Sequence, residues 1–251
     1  MKVGVSGAAG RMGRLISAAL LEAEDLSLVA LYAPGRRSLE VAGLASSDDP
    51  EVLRAAEVVV EVTTPEAVMD NAARWLEYGL HTVIGTSGFT AERLSELESL
   101  WGDGPPNCLV VPNFSVSAIL QMHFSELAAP HFDGVEIIEL HHEDKPDAPS
   151  GTSLATARRI AAVWKGDGTG RGEELVSGAL GAEVEGVPIH SVRLAGLVAH
   201  QEVIFGAAGQ TLTIRSDATS WESFMPGVLL AIRSVGGLSG VTVGLESLLG
   251  L

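Results

Sequence analysis

Short apolar runs that alternate with helical stripes constrain this chain more than any other feature. "KVGVSG" reads as a strand, and "RMGRLISAALLEA" places Leu15, Ile16, Ala19, Leu20 and Ala23 along one side of a helix. "LSLVALY" follows as a second strand, and "AEVVVEV" as a third whose apolar run suits a strand covered on both sheet faces. "PEAVMDNAARWLEYG" has Pro65 at a first-turn position and stops at Gly79, which are fitting punctuation marks for a helix. "HTVIG", "TAERLSELESLW" and "CLVVPN" continue the series. The alternation predicts an α/β, Rossmann-like doubly wound parallel sheet with helices on both faces.

After Asn113 the pattern changes. A helix over "SAILQMHFSELAAP" leads to a strand, "GVEIIELHH", and to a helix from about Thr152 to Trp164. "PIHSVRL", "LVAHQEVIF" and "QTLTIRS" then follow as strands with no clear helix between them, which predicts a second α+β domain with a mixed or antiparallel sheet. "WKGDGTGRGEE" is the most loop-like stretch, while "ESFMPGVLLAIRSV" and "VTVGL" return to helix and strand. The expected division is a first domain over 1–113, completed by 222–251, and a second over 114–221.

Charge narrows the partners. Acidic residues number 32 against 16 lysines and arginines, a formal net charge of -16 that repels nucleic acid over the whole surface. Small anions remain acceptable where cations concentrate, and lysines occur only at Lys2, Lys145 and Lys165. No apolar run reaches the roughly 18 residues that a membrane helix needs, and "MKVGVSGAAG" lacks a signal-peptide layout. The single cysteine, Cys108, fits a reducing cytoplasm and reads as a small buried hydrophobe before "LVV".

Gly7, Gly10 and Gly13 follow the first strand as G-x-x-G-x-x-G, a turn in which the backbone can approach a dinucleotide pyrophosphate at a helix start. Arg11 and Arg14 oppose the helix dipole there, which is reasonable if Arg11 faces an anion; Arg14 reads equally well as a solvated cation. A cofactor site that prefers NAD presents an acid at the tip of the second strand. This chain has "LYAPGRRS" instead, so Arg36 and Arg37 predict that NADPH binds better than NADH, with a solvated basic turn as the competing view.

"HHEDKPDAPSGT", His141 to Thr152, supplies an imidazole pair, a scarce lysine and a helix start at Ser150-Gly151-Thr152. On a continuing strand His141 and His142 point to opposite faces, and no third ligand follows at zinc-type spacing. His141, Glu143, Asp144 and Asp147 therefore do not read as a metal site, and no metal is expected. Ser150 is a natural cap, and free amides beside a glycine also make a carboxylate cradle. A titratable acid, a cation and an anion cradle together suit reduction of a small polyanion.

These residues carry a family resemblance. "GAAGRMG", "VTTPE", "IGTSGF", "PNFS", "HHEDKPDAPSGT" and "RLAGLVAHQEVIFG" together resemble the 4-hydroxy-tetrahydrodipicolinate (dihydrodipicolinate) reductases of the diaminopimelate route to lysine, over essentially the whole chain. The "HH..K.DAPSGT" pattern is highly specific to that family. The resemblance implies an enzyme that passes hydride from NADPH, or from NADH, to a small anionic heterocyclic dicarboxylate. It makes His141 the general acid, Lys145 its assistant and a carboxylate ligand, and His142, Ser150, Gly151 and Thr152 the substrate's carboxylate holders.

Gly7, Ala8, Ala9, Gly10, Arg11, Met12 and Gly13 would cradle the cofactor pyrophosphate. Thr63, Gly85, Thr86, Pro112, Asn113 and Phe114 would border adenosine or nicotinamide. The first domain becomes the dinucleotide-binding one, and the second binds substrate and builds a homotetramer. Four departures stand out: Ser87 replaces a threonine and is expected to keep its substrate contact, Glu61 replaces an aspartate, Ala33 or its neighbours replace the family's acidic cofactor selector, and Trp221 replaces an arginine. His200 reads as a strand histidine satisfied by hydrogen bonds. The rival readings are a diacid oxidoreductase of aspartate dehydrogenase type and a non-catalytic NADP-binding regulator on the same scaffold.

Overall fold

The apolar runs form the central strands of a computed structural model that describes residues 1–35, 40–166 and 172–251. Arg36 and Arg37, expected at the cofactor, lie outside the described residues. The chain divides into two units, Met1–Phe114 with Phe224–Leu251, and Ser115–Ser223.

The first unit runs through β1 (Lys2–Ser6), α1 (Arg11–Glu22), β2 (Ser27–Tyr32), β3 (Glu40–Val41), β4 (Leu44–Ala45), β5 (Val58–Glu61), α2 (Val68–Glu77), β6 (His81–Ile84), α3 (Ala91–Trp101) and β7 (Cys108–Val110). The second holds α4 (Val116–Ala128), β8 (Gly134–His141), α5 (Gly151–Val163), β9 (Ala182–Val184), β10 (Val187–Arg193), β11 (Ala199–Ala207) and β12 (Gln210–Ala218). The chain then returns to the first unit as α6 (Met225–Val235) and β13 (Val241–Val243).

In the first unit the strand order is β13-β7-β6-β5-β1-β2, with every pairing parallel. The connection from β1 to β2 steps one way along the sheet, and those from β5 to β6 to β7 step the other. Right-handed crossovers therefore place α1 on one face and α2 and α3 on the other, and α6 packs beside α1. All four residues of β5 are buried, as a strand covered on both faces demands. Cys108 is fully buried, which pushes its thiol pKa far above the ordinary range and leaves it an inert hydrophobe.

Some local readings shift. Pro65 sits in a turn in which the Thr64 carbonyl accepts from Ala67 and Val68, so α2 starts three residues later than its punctuation suggests. Between β2 and β5 a short 3-10 turn, Pro50–Ala55, carries fully buried Leu53 into room left by Gly4, where an added Cβ would stand 2.5 Å from the leucine Cδ2. Periodicity gives no warning of so short an element.

The second unit has strand order β12-β11-β8-β10-β9, parallel only between β8 and β10. Its core joins Val135, Ile137, Val203 and Phe205 of the sheet to Ala157 and Ile160 of α5. β9 escaped the sequence reading; it enters a hairpin through Glu185 and Gly186, both with positive φ, a turn that usually advertises itself by Asn-Gly or Asp-Gly. Among the described residues no helix is long and apolar enough to cross a membrane.

Gly13 marks the tightest helix-strand approach at the first turn. An added Cβ would strike the Gly7 carbonyl oxygen and stand 2.7 Å from Ala8 Cα, both rigid backbone. Gly13→Ala gains about 1 kcal/mol of helix propensity but meets an overpacking cost of about 1–3 kcal/mol. We expect a lower urea midpoint for the first unit; an equal or higher midpoint would show that the crowding relaxes.

Candidate active site

β1 and β5 lie side by side, and the chain leaves them in opposite directions, which makes their carboxyl ends the switch point where doubly wound sheets take ligands. The loop after β1 is built for close approach. Gly7 has φ +86°, and a Cβ there would come 2.6 Å from the Val62 carbonyl oxygen. The amides of Gly7 and Ala8 donate to the Tyr32 carbonyl at 3.0 and 3.1 Å, and Gly10 N donates to Gly7 O at 2.9 Å.

Gly10 leaves the start of α1 without a side-chain cap, and no acid lies in its first turn. Ala9 and Met12 are part-buried, Arg11 is exposed, and exposed Arg14 donates from Nε to Ala9 O at 3.1 Å, bracing the loop. A glycine cradle that side chains would fill, at an acid-free helix start, fits a dinucleotide pyrophosphate.

Glu61, whose effect was not legible beforehand, closes β5 fully buried. Its carboxylate accepts from Thr63 N at 3.0 Å, from the Thr63 hydroxyl, and from Trp75 Nε1 at 2.9 Å. Thr63 is thereby fixed at the switch point. After β6, a Cβ on Gly85 would run into the Phe114 ring, and Thr86 Oγ1 donates to the Glu61 carbonyl at 3.3 Å. Phe114 is buried, Asn113 part-buried and Pro112 exposed, on the segment after β7. Ser87, expected beside the substrate, is exposed in this same unit on the loop after β6.

The remaining expected residues belong to the second unit. Strand alternation puts Val135, Ile137, Glu139 and His141 of β8 on one face. The strand stops at His141, so His142 starts the loop, and its ring meets Trp221 edge-on at 5.9 Å between centroids. Glu139 is fully buried and takes Arg193 of β10 in a two-pronged pair, Nη1 to Oε2 at 2.9 Å and Nη2 to Oε1 at 2.8 Å, while His141 Nδ1 bonds Oε2. Arg193 Nη2 also donates to the Asp147 carbonyl at 2.6 Å, which ties the loop back to the strand end. Lys145 Nζ donates to Asp147 Oδ1 at 2.6 Å, and this ammonium holds the Asp147 carboxyl below its usual pKa.

Ser150 caps α5 by accepting from Ser153 N at 3.1 Å, Gly151 is exposed with open space where a Cβ would stand, and Thr152 completes the first turn. Buried Gln201 of β11 accepts from Ser153 Oγ at 2.7 Å, anchoring that cap. His200 bonds Asp217 at 2.7 Å across the β11–β12 pair, consistent with a satisfied strand histidine. Glu139, Arg193 and Gln201 were missed beforehand, and Asp147 was weighed only as a metal ligand. The usable signal was an acid in "VEIIELH" at an inward position of the alternation.

Burial alone would raise the Glu139 pKa, yet hydrogen bonds from His141 and Arg193 outweigh it and hold the carboxyl at about 2. A depressed folded pKa gives stability that is present above the unfolded value and is lost as pH falls through about 2. Arg193→Met should strand this charge, costing on the order of 3–5 kcal/mol at pH 7, a penalty that shrinks as pH falls and Glu139 takes up a proton. Urea midpoints at pH 7 and across pH 5 to 2 test this, and an unchanged pH 7 midpoint would refute it.

The chain matches the family model for the dihydrodipicolinate reductase N-terminus over residues 1–114 and that for the C-terminus over residues 117–249. It is 48% identical to 4-hydroxy-tetrahydrodipicolinate reductase of Mycolicibacterium smegmatis over 260 residues, covering 100% of both chains. It is also 48% identical to the protein of that name from Cutibacterium acnes over 256 residues, covering 100% of this chain and 99% of the relative. A solved dipicolinate-bound dihydrodipicolinate reductase from Paenisporosarcina sp. TG-14 superposes with a TM-score of 0.87 at 36% identity, covering 98% of each chain. With both halves matched in order and relatives aligned from end to end, the chain belongs to the dihydrodipicolinate reductase family.

Proposed function

We propose that this chain is an NAD(P)H-dependent 4-hydroxy-tetrahydrodipicolinate reductase of the diaminopimelate route to lysine. The observation that carries the reading is the second unit's loop: Arg193 ties it to the strand that bears His141, and it presents Lys145 and the capped start of α5. A bound nicotinamide supplies hydride to the heterocycle, which loses its hydroxyl as water to give tetrahydrodipicolinate.

His141 gives the proton that quenches the electron density left beside the new C–H bond. Lys145 adds a point charge that attracts a substrate carboxylate and assists protonation. His142, Ser150, Gly151 and Thr152 hold the carboxylates through ring, hydroxyl and first-turn amides, and Ser87 adds a hydroxyl contact to substrate. Gly7, Ala8, Ala9, Gly10, Arg11, Met12 and Gly13 cradle the pyrophosphate. Thr63, Gly85, Thr86, Pro112, Asn113 and Phe114 border the rest of the cofactor.

NADPH is the better cofactor in this reading, supported by a β2 tip with no acid from Tyr32 to Gly35 and by Arg36 and Arg37 in the sequence that follows. A homotetramer joined through the second units' sheets is the proposed assembly. Its support is β12, an edge strand whose first four residues are exposed and include Leu212. Cytoplasmic residence completes the reading and accords with the single buried cysteine.

Steady-state assays on substrate freshly made by the preceding synthase should show turnover, and His141→Ala and Lys145→Ala should each lower kcat on the order of 10²-fold or more with cofactor binding intact. Near-normal turnover in either variant removes that residue from the chemistry. Titration with the two reduced cofactors should give a lower Kd for NADPH; equal values would discard the role given to Arg36 and Arg37.

A further inference from the structure

We infer that Glu139, clamped by Arg193, is a positioning residue that keeps the proton on His141 Nδ1 and leaves Nε2 as the nitrogen that exchanges a proton with substrate. The inference rests on the reading of His141 as proton donor and adds which atom delivers the proton and what selects it.

Three observations carry it. Glu139 and His141 are two residues apart on one strand and face the same side, so their contact follows from the backbone alone. The glutamate is fully buried, and both its oxygens accept from the Arg193 fork, which keeps it an ionised, acceptor-only group. The nitrogen that faces Oε2 is Nδ1. An acceptor-only partner requires a hydrogen on Nδ1 in both the neutral and the protonated ring. Only Nε2 can then gain and lose a proton through the cycle: as Nε2–H in the imidazolium it gives that proton up, and it becomes a lone pair in the neutral ring.

The surroundings suit this assignment. Arg193 is also the register partner of His141 across the parallel β8–β10 pair, so the same residue that holds the carboxylate lies beside the ring. Its positive charge balances the buried Glu139 carboxylate. On the other side, Ala199 of β11 is opposite His141 and brings no charge, while His200 turns to Asp217. Lys145 is bonded to Asp147 on the loop. A purely structural ion pair makes a different prediction: its loss would change the tautomer of the neighbouring ring without lowering turnover.

The test uses the full chain labelled with 15N-histidine, the His141 signal being identified by its loss in His141→Asn. In its neutral form, wild-type His141 should be the Nδ1–H tautomer. In Glu139→Gln the amide oxygen stays with Arg193 and the amide nitrogen offers a donor to the ring, so His141 should switch to Nε2–H. Turnover should then fall on the order of 10²-fold, with KM for the cofactor within about twofold of wild type.

A wild-type Nε2–H tautomer overturns the inference even if the variant fails to fold. A Glu139→Gln enzyme that loses activity without the tautomer switch, or that switches without losing activity, overturns it as well. Normal turnover of His141→Ala would instead remove the reading on which it rests, and the tautomer measurement does not depend on that assay.

Discussion

A carboxylate taken out of water must be met by donors, and each unit meets that demand at the carboxyl end of a strand. Among the described residues the fully buried acids are Glu61, at the end of β5, and Glu139, two residues before the end of β8. The solution has the same form in both. Strand periodicity puts residue i+2 on the same side as i, so Glu61 takes the Thr63 hydroxyl and Glu139 takes the His141 ring. A more distant side chain occupies the rest of each carboxylate: Trp75 in one unit, Arg193 in the other. Burying an acid thus fixes the next side chain on the same face, near the carboxyl end of its strand.

The cradle at α5 depends on a second buried polar system. Ser150 caps the helix, Ser153 passes the load to Gln201, and the Gln201 amide donates to Thr156 Oγ1 at 2.9 Å and to Gln121 Oε1 at 3.1 Å. Gln121 in turn donates to the carbonyls of Gln201 and Ile214 at 2.7 and 2.8 Å. A buried network satisfied at each of these steps is rigid, because every broken link would leave an unpaired group in a dry interior. The start of α5 is therefore held by β11 and α4 as well as by its own cap, and a carboxylate would meet amides already in place.

What was legible beforehand follows from range. The parallel sheet, the glycine loop and the "HHEDKPDAPSGT" segment are local patterns: burial on both faces writes an apolar run, and a close backbone approach writes a glycine. The partners of the buried acids are not local. Arg193 lies 54 residues from Glu139, and nothing in "SVRLAG" marks its guanidinium as the clamp of a distant strand. Likewise Gln201 is 48 residues from Ser153 and reads as one more polar residue in a strand. β9 and the Leu53 turn were lost for a different reason: each is too short to show a period.

The clamp also bears on whether this scaffold catalyses or only binds. Replacing a buried ion pair with apolar residues of similar volume is often neutral or stabilising by about 1–4 kcal/mol, so stability alone gives Glu139 and Arg193 no advantage over leucine and methionine. A cofactor-binding regulator relieved of chemistry would need neither the buried charge nor an imidazole fastened through one nitrogen. A proton donor needs both, because an acid that delivers to a fixed point must have its ring orientation and its donating nitrogen set before the substrate arrives. The arrangement is wasteful for binding and economical for proton transfer, which places the weight on the enzyme.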